Sequence, residues 1–203
     1  DATGYFNDAL DGVFLMSVWN SLSLAGLASV LAVSIGVLLA YGMRLNGWGV
    51  FAAITRFASL GYAIPGAVLA IGIFIPMGLL DNSIDGFMRN KFGISTGLLL
   101  SGSIAALTFA YVVRFLALSL GAVEVSLGRI TNNIDGVAKT LGASHGAILW
   151  RVHLPMIRAS LLTGAILVFV DVMKELPMTV IMRPFNFETL ATQVYQFSAA
   201  EEF

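Results

Sequence analysis

The first run of the chain without charged side chains, residues 12–43, sets the strongest limit on its fold. A helix of about 20 apolar residues is enough to cross a bilayer, and this run is longer. Similar charge-free runs cover residues 57–80 and 92–113. Only 11% of the 203 residues are charged, which is too few to cover a soluble domain with polar side chains. We therefore predict an all-α membrane protein, a polytopic helix bundle with about four spans.

The four spans are expected at about residues 17–43, 57–80, 95–118 and 158–180. A polar connection over 81–96 separates the second span from the third, because it contains Asp81, Asp85, Arg89 and Lys91. The tail, 183–203, is amphipathic but too polar to span, so a short interfacial helix is predicted there. Because the chain starts without Met and stops without a closing element, we interpret it as a single-domain fragment of a longer polypeptide.

Small residues recur at every fourth position of the first span, at Ala28, Ala32, Gly36 and Ala40. This spacing lets another helix approach closely in lipid. The alternative interpretation is a face of small residues that is exposed to lipid. In the second span, Pro65 either kinks a helix near a transport pathway or simply begins one, and both interpretations stay open.

The fourth hydrophobic run, 159–182, is interrupted by three charged residues and a proline: Asp171, Lys174, Glu175 and Pro177. The charged residues are spaced so that one helix face would carry all three. Charged groups within a span are costly and usually face a bundle interior or an aqueous path. We interpret them as pathway or gate residues. The alternative is that the helix has left the bilayer by Lys174 and that they are interfacial.

The longest polar-flanked amphipathic segment, about 128–156, lies between the third and fourth spans. A short helix is predicted there because apolar residues occur at i, i+3, i+4 and i+7, namely Ile134, Val137, Ala138 and Leu141. Asp135 falls in its first turn, where the helix dipole favours an acid. Gly142 would end this helix, and Ser144 would cap a second one that stops before Pro155. The pattern predicts two short helices joined by a glycine turn.

Several kinds of chemistry are absent from the sequence. It contains no cysteine, no P-loop pattern and no nucleophile elbow. His145 and His153 are its only histidines, and their spacing suits no metal, so we expect solvated histidines and no metal site. Residues 138–152 superficially resemble a DNA-binding helix-turn-helix. The net charge of −1 and the flanking hydrophobic runs argue against it, so no nucleic-acid partner is expected.

The distribution of Lys and Arg predicts the orientation. With four alternating spans, one side of the membrane receives most of the cations: Arg44, Arg56, Arg129, Lys139, Arg151 and Arg158. That side is predicted to be cytoplasmic. The segment 128–156 would then face the cytoplasm, and 183–203 would lie on the periplasmic side.

The segment that begins at Gly136 resembles the EAA loop of bacterial ABC importer permeases. The pattern of that loop is E-A-A, three residues, Gly, nine residues and I-x-L-P. Here the two alanine positions, the motif glycine and the closing motif correspond to Val137, Ala138, Gly142, Val152, Leu154 and Pro155. The nine residues 143–151 separate the glycine from the closing motif, as the pattern requires.

One position departs from the pattern. The family usually has Glu where this chain has Gly136, and Asp135 is the expected substitute. A second resemblance, over residues 171–191 and 62–66, is to the permeases of ferric-iron importers, which look like two fused copies of one helical core. The chain is most similar to the C-terminal copy. The fold implied is that of a type I ABC importer permease, a multi-pass protein of the bacterial inner membrane.

The resemblance also implies partners. A cytoplasmic ATPase dimer would carry ATP and Mg and would grip the segment 128–156, while this chain would bind no cofactor and would not be an enzyme. A periplasmic binding protein would deliver Fe³⁺, and a second permease half would complete the pathway. Two alternatives remain: a permease for thiamine, sulfate, polyamine or phosphonate, and a secondary transporter in which Asp171, Lys174 and Glu175 form a relay.

Overall fold

A computed structural model describes residues 12–46 and 49–200 of the protein, and within these ranges the chain is helical without any strand. The helices are α1 Gly12–Asn46, α2 Val50–Ala63, α3 Gly66–Phe92, α4 Ile104–Gly128, α5 Asn132–Thr140, α6 His145–Met156, α7 Arg158–Met173, α8 Pro177–Met182 and α9 Leu190–Ala200. The all-α prediction is confirmed. Three of these helices, α1, α3 and α4, are long and apolar enough to cross a membrane. α6 and α7 would make a fourth span only as a pair, bent by 75° at the break between them.

The second predicted span, 57–80, has the wrong limits, because it is divided between two helices. α2 ends at Ala63 and α3 begins at Gly66, with Pro65 in the N-cap position. Proline has no N–H to donate and disfavours the helical conformation of the residue before it. The structure therefore shows the simpler of the two interpretations of Pro65, the start of a helix.

The predicted connection 81–96 and third span 95–118 also have the wrong limits. α3 continues to Phe92 and is closed by Gly93, whose φ of 68° is left-handed. Arg89 and Lys91 lie in its last turn, where cations interact favourably with the helix dipole. α4 begins only at Ile104. The residues between the two helices form a loop that folds back on α3.

Two acids on α3 hold that loop. Asp81 is buried, and its carboxylate accepts hydrogen bonds from the backbone N–H groups of Leu99 (3.1 Å), Leu100 (2.8 Å) and Ser101 (2.8 Å). One helical turn later, Asp85 accepts from the backbone of residues 96 and 97 at 2.7 and 3.1 Å. The loop amides are thereby satisfied without a helix or a sheet.

The fourth predicted span, 158–180, is interrupted as well. α7 ends at Met173 and α8 begins at Pro177. Pro177 cannot donate to the carbonyl of Met173, so α7 does not continue through it. The prediction that Asp171, Lys174 and Glu175 share one helix face is wrong, because only the first of them is helical.

The chain divides into two compact units. The first contains the start of α1, α3, the beginning of α4, α8 and α9. The second contains the rest of α1, α2, most of α4, α5, α6 and most of α7. The second unit has a buried apolar core: Val37, Ala40, Tyr41, Leu120, Val123, Leu127, Ile130, Leu149 and Ile157.

Candidate functional site

The glycine turn between α5 and α6 has the local geometry that its sequence predicts. Gly142 has a φ of 81°, a conformation that glycine adopts at little cost. Ser144 then caps α6, since its Oγ accepts a hydrogen bond from the N–H of Ala147 at 3.3 Å. α5 begins after Thr131, which is the last residue with extended backbone before the helix. Two short helices joined by Gly142 are present.

The second of these helices is longer than predicted, because α6 passes through Pro155. Its middle segment, Leu149–His153, is π-helical, and the N–H of Leu154 bonds to the carbonyl of Leu149. Pro155 follows in the short α-helical turn Leu154–Met156 that closes α6, directly after the π-helical segment has interrupted the α-helical hydrogen-bond pattern. The expectation that Pro155 lies beyond the helix is therefore wrong.

The predicted apolar stripe of α5 divides into an inner and an outer part. Ile134 packs against the core of the second unit, and Ala138 is half-buried. Val137 is 60% exposed and Leu141, just beyond the helix, is 82% exposed. We call Val137 and Leu141 the α5 apolar patch. It is exposed apolar surface on a helix in which no residue is buried.

The remaining motif positions differ in their exposure. Gly136 is exposed, and a Cβ at this position would meet no atom within 4 Å. Val152 and Leu154 are half-buried, and Pro155 is exposed. A side chain larger than hydrogen at Gly136 is thus sterically allowed.

Asp135 points into the chain. Its Oδ2 accepts a hydrogen bond from Nε of Arg44 at 2.9 Å, and its Oδ1 lies 2.7 Å from Nε2 of His153. Burial would raise the pKa of the Asp135 carboxyl, but the hydrogen bonds from Arg44 and His153, together with their charges, hold it below its ordinary value. The group is therefore an ionised acceptor at neutral pH. We call Arg44, Asp135 and His153 the polar node.

Further hydrogen bonds extend the polar node. The guanidinium of Arg44 donates from Nη1 to the carbonyl of Leu127 at 2.7 Å and from Nη2 to that of Ile130 at 3.0 Å. Tyr41 donates its hydroxyl proton to the carbonyl of His145 at 2.7 Å, and its ring meets the ring of His153 edge-on at 5.6 Å. The node therefore joins the end of α1, the connection between α4 and α5, and α6.

Two members of this node, Arg44 and His153, were not predicted to belong to a site. From the sequence, Arg44 was expected only as one of the cytoplasmic cations, and both histidines were expected to be solvated. His145 is exposed, but His153 is fully buried, so that prediction is wrong for His153. The spacing of these residues gives no local signature, since 91 positions separate Arg44 from Asp135.

The predicted pathway residues lie in the first unit. Lys174 is exposed and its Nζ lies 2.7 Å from Oδ1 of Asp171. Glu175 is buried, and its backbone carbonyl accepts a hydrogen bond from the hydroxyl of Thr179. That hydroxyl also lies 2.5 Å from the hydroxyl of Tyr111. Tyr111 and Thr179, both buried, were not identified from the sequence because they stand in apolar surroundings. Pro177 is the first residue of α8.

The four small residues of α1, Ala28, Ala32, Gly36 and Ala40, are all buried. Oγ of Ser119 donates to the carbonyl of Ala32 at 2.8 Å. A Cβ at Gly36 would lie 3.2 Å from the backbone nitrogen of Leu120. At Ala32 and Gly36 α1 and α4 approach closely, and the face of small residues is not exposed.

The part of the chain that the structure describes contains no group of three or more His, Asp or Glu side chains that could hold a metal ion. A further ion pair precedes α9, where Arg183 contacts Glu188. Burial would raise the pKa of the Glu188 carboxyl, but hydrogen bonds from Arg183 and Thr192 and the charge of Arg183 hold it below its ordinary value.

Residues 32–196, which include the polar node and the glycine turn, match the family described as binding-protein-dependent transport system inner membrane component. The chain belongs to this family. Members of the family are transport permeases rather than enzymes, and the several apolar helices fit a multi-pass protein of the inner membrane. The resemblance of the segment 136–155 to an ABC importer permease is confirmed at this level.

Individual relatives carry different names. The chain is 24% identical over 195 residues to the Fe(3+)-transport system permease protein FbpB 2 of Haemophilus influenzae, covering 94% of this chain and 34% of that protein. It is 26% identical over 194 residues to the putative 2-aminoethylphosphonate transport system permease protein PhnV of Salmonella paratyphi A, covering 96% and 67%. It is 25% identical over 163 residues to the molybdenum transport system permease protein ModB of H. influenzae, covering 79% and 68%. The chain thus spans about a third of the first relative, and three cargoes occur among these names.

Proposed function

We propose that this chain is a permease half of an ATP-driven importer and that the segment 128–156 docks a cytoplasmic ATPase. ATP and Mg would be bound by that ATPase and not by this chain. A periplasmic substrate-binding protein would deliver the cargo, and a second permease half would complete the pathway. Closure of the ATPase on ATP would push the glycine-turn helices and shift the spans between two states.

The observation that carries this proposal is the α5 apolar patch. Val137 on the short helix α5 and Leu141 just beyond its end are both largely exposed. Apolar side chains held out in this way are typical of a surface that a partner protein covers. The chain lies within a family of binding-protein-dependent transport components, which supplies the class of partner.

The docking proposal is tested by Leu141→Asp, with Thr140→Asp as its matched control. Both positions are exposed and adjacent, so each variant places one new carboxylate beside α5. Truncating a central apolar contact costs about 2 kcal/mol, so affinity for the ATPase should fall roughly 30-fold in Leu141→Asp. The measurement is a titration of the ATPase against the full-length permease in nanodiscs. Equal affinity in the two variants contradicts docking through this patch.

For the cargo we propose ferric iron. The resemblance of residues 171–191 to ferric-iron permeases favours it, and one similar protein is named for Fe(3+) transport. The test is ATP-dependent uptake of ⁵⁵Fe³⁺, 2-aminoethylphosphonate and molybdate by vesicles that contain the complete importer. Saturable uptake of iron alone is expected. Uptake of another cargo would reassign the substrate, and uptake without ATP hydrolysis would favour a secondary transporter.

The predicted gate is tested in the same vesicles. Glu175→Gln removes the charge of a buried side chain, and Lys174→Gln removes that of an exposed one. We expect uptake to fall about tenfold or more in Glu175→Gln, because a charge kept inside a span usually serves the transport path. ATPase binding should be unchanged in both. Normal uptake in Glu175→Gln removes this residue from the mechanism.

A further inference from the structure

The acid nearest the missing motif glutamate does not face outward. Both oxygens of Asp135 are engaged within the chain, one by Arg44 at 2.9 Å and the other by His153 at 2.7 Å. The side chain of Asp135 is 18% exposed to solvent, and that of His153 is fully buried. A carboxylate held in this way is already satisfied and has little to offer a partner protein.

The position of α5 depends on this polar node. The helix has nine residues, too few to be stable by itself, and none of them is buried. Its apolar anchor is Ile134, which is only partly buried against the core. The strongest attachments are therefore the charge-assisted hydrogen bonds of Asp135, one to the end of α1 and one to α6.

We propose that Asp135 is a positioning residue: together with Arg44 and His153 it locks α5 onto the ends of α1 and α6, and the partner contacts the α5 apolar patch instead. The inference rests on the proposed function only in naming α5 as the docking helix. Asp135 is therefore not available as a substitute for the motif glutamate in contacts with a partner protein. Asp135 fixes the position of α5 relative to α1, so that a displacement of α5 by the ATPase also displaces α1.

The test measures the position of α5 directly. Because the chain contains no cysteine, spin labels can be placed at chosen sites in the full-length permease, with any cysteine elsewhere in the polypeptide replaced by serine. One label replaces Leu38 on α1 and the other Leu141, both exposed. Pulsed electron–electron double resonance in nanodiscs, without ATPase, then gives the distribution of distances between α1 and the tip of α5.

In the parent protein we expect one narrow distribution. Its width should about double in Asp135→Asn, because a short helix without its ionic attachment samples more positions. Arg44→Lys keeps the charge but loses the planar guanidinium that reaches two backbone carbonyls, so an intermediate width is expected. Lys139→Gln is the matched control, since it removes an exposed charge from the same helix and should leave the width unchanged.

A second pair of labels separates a local effect from general unfolding. Leu38 and Leu162 are exposed on α1 and α7, and their distance does not involve α5. It should stay narrow in Asp135→Asn. If the width for α5 in Asp135→Asn equals that in Lys139→Gln, the positioning role is wrong. If both pairs broaden, Asp135 supports the whole unit and the specific role in α5 is likewise wrong.

The outcome is independent of docking, because no ATPase is present in this measurement. With the ATPase added to the unlabelled proteins, which keep Leu141, Asp135→Asn should retain its affinity while the number of cargo molecules moved per ATP falls. A parent protein that binds no ATPase contradicts the proposed function and leaves the distance measurement valid. A loss of affinity in Asp135→Asn with unchanged distances would make Asp135 a contact residue and overturn the inference.

Discussion

In two regions of this protein an aspartate accepts hydrogen bonds from within the chain, and the two regions use different kinds of donor. Asp81 in α3 accepts three hydrogen bonds from backbone N–H groups of the following loop. Asp135 in α5 accepts from two side chains, a guanidinium and an imidazole. The first arrangement fixes a loop against its own helix, and the second joins segments that are distant in sequence. In a chain with few charges, aspartate can thus either hold a loop against its own helix or join segments that lie far apart in the sequence.

The largest effect is expected where the donors are backbone groups. Asp81→Ala removes the buried carboxylate that accepts from three backbone N–H groups of the loop after α3. We expect the lowest melting temperature and the lowest yield of monodisperse protein of the variants in this section. Asn82→Ala changes an exposed neighbour on the same helix and is the control. Equal melting temperatures for the two variants would remove Asp81 from the stabilisation of the loop.

A smaller and pH-dependent effect is expected at Asp135. Hydrogen bonds to charged groups contribute about 1.5–3 kcal/mol, so Asp135→Asn should lower the free energy of unfolding by roughly 2 kcal/mol at pH 7. Because the pKa of Asp135 is below its ordinary value of 3.8 in the folded state, its contribution is complete above that value. It is lost as the pH falls through the lower pKa of the folded protein. Unfolding of both proteins between pH 7 and pH 3 measures this, and a difference that stays constant contradicts the ionic role of Asp135.

The smallest effect is expected at the ion pair before α9. Arg183 and Glu188 are each about one-quarter exposed, and Glu188 also accepts a hydrogen bond from Thr192 at 2.8 Å. Arg183→Gln should therefore lower the free energy of unfolding by only about 0.5–1 kcal/mol. The same unfolding experiment tests this, and addition of salt should reduce the difference further. If Arg183→Gln lowers the free energy of unfolding as much as Asp135→Asn does, the ion pair of Arg183 and the polar node contribute equally, and the expected order is wrong.

Local features of the fold were predictable from the sequence. Gly142 in its left-handed turn and Ser144 capping α6 depend on residues within a few positions, so their signatures are short. Long charge-free runs likewise indicated helices that cross a membrane. The limits of those helices were less predictable. In the sequence, Asp81 indicated a polar connection. In the structure Asp81 is buried, because backbone N–H groups of the following loop donate to its carboxylate. Backbone N–H groups occur in every sequence, so they give no signal from which this burial could be predicted.

The polar node could not be predicted for a different reason. Its members stand 91 and 18 positions apart, and each has a plausible local role without the others. Arg44 fits the end of a span, and Asp135 fits the first turn of a helix. Only the packing of the second unit brings them to His153. Sequence patterns report on neighbours along the chain, and this site consists of neighbours in space.

The π-helical segment of α6 stores one residue more than an α-helical turn needs. Deleting a single residue from Leu149–His153 would let α6 continue as regular α-helix, without a break in hydrogen bonding. The π-helical segment already accommodates the additional residue in its wider turn, so the side chains beyond the deletion would keep nearly the same orientation relative to the start of α6. In evolutionary terms, the segment Leu149–His153 can therefore lose one residue without changing the direction in which the side chains on either side of it project.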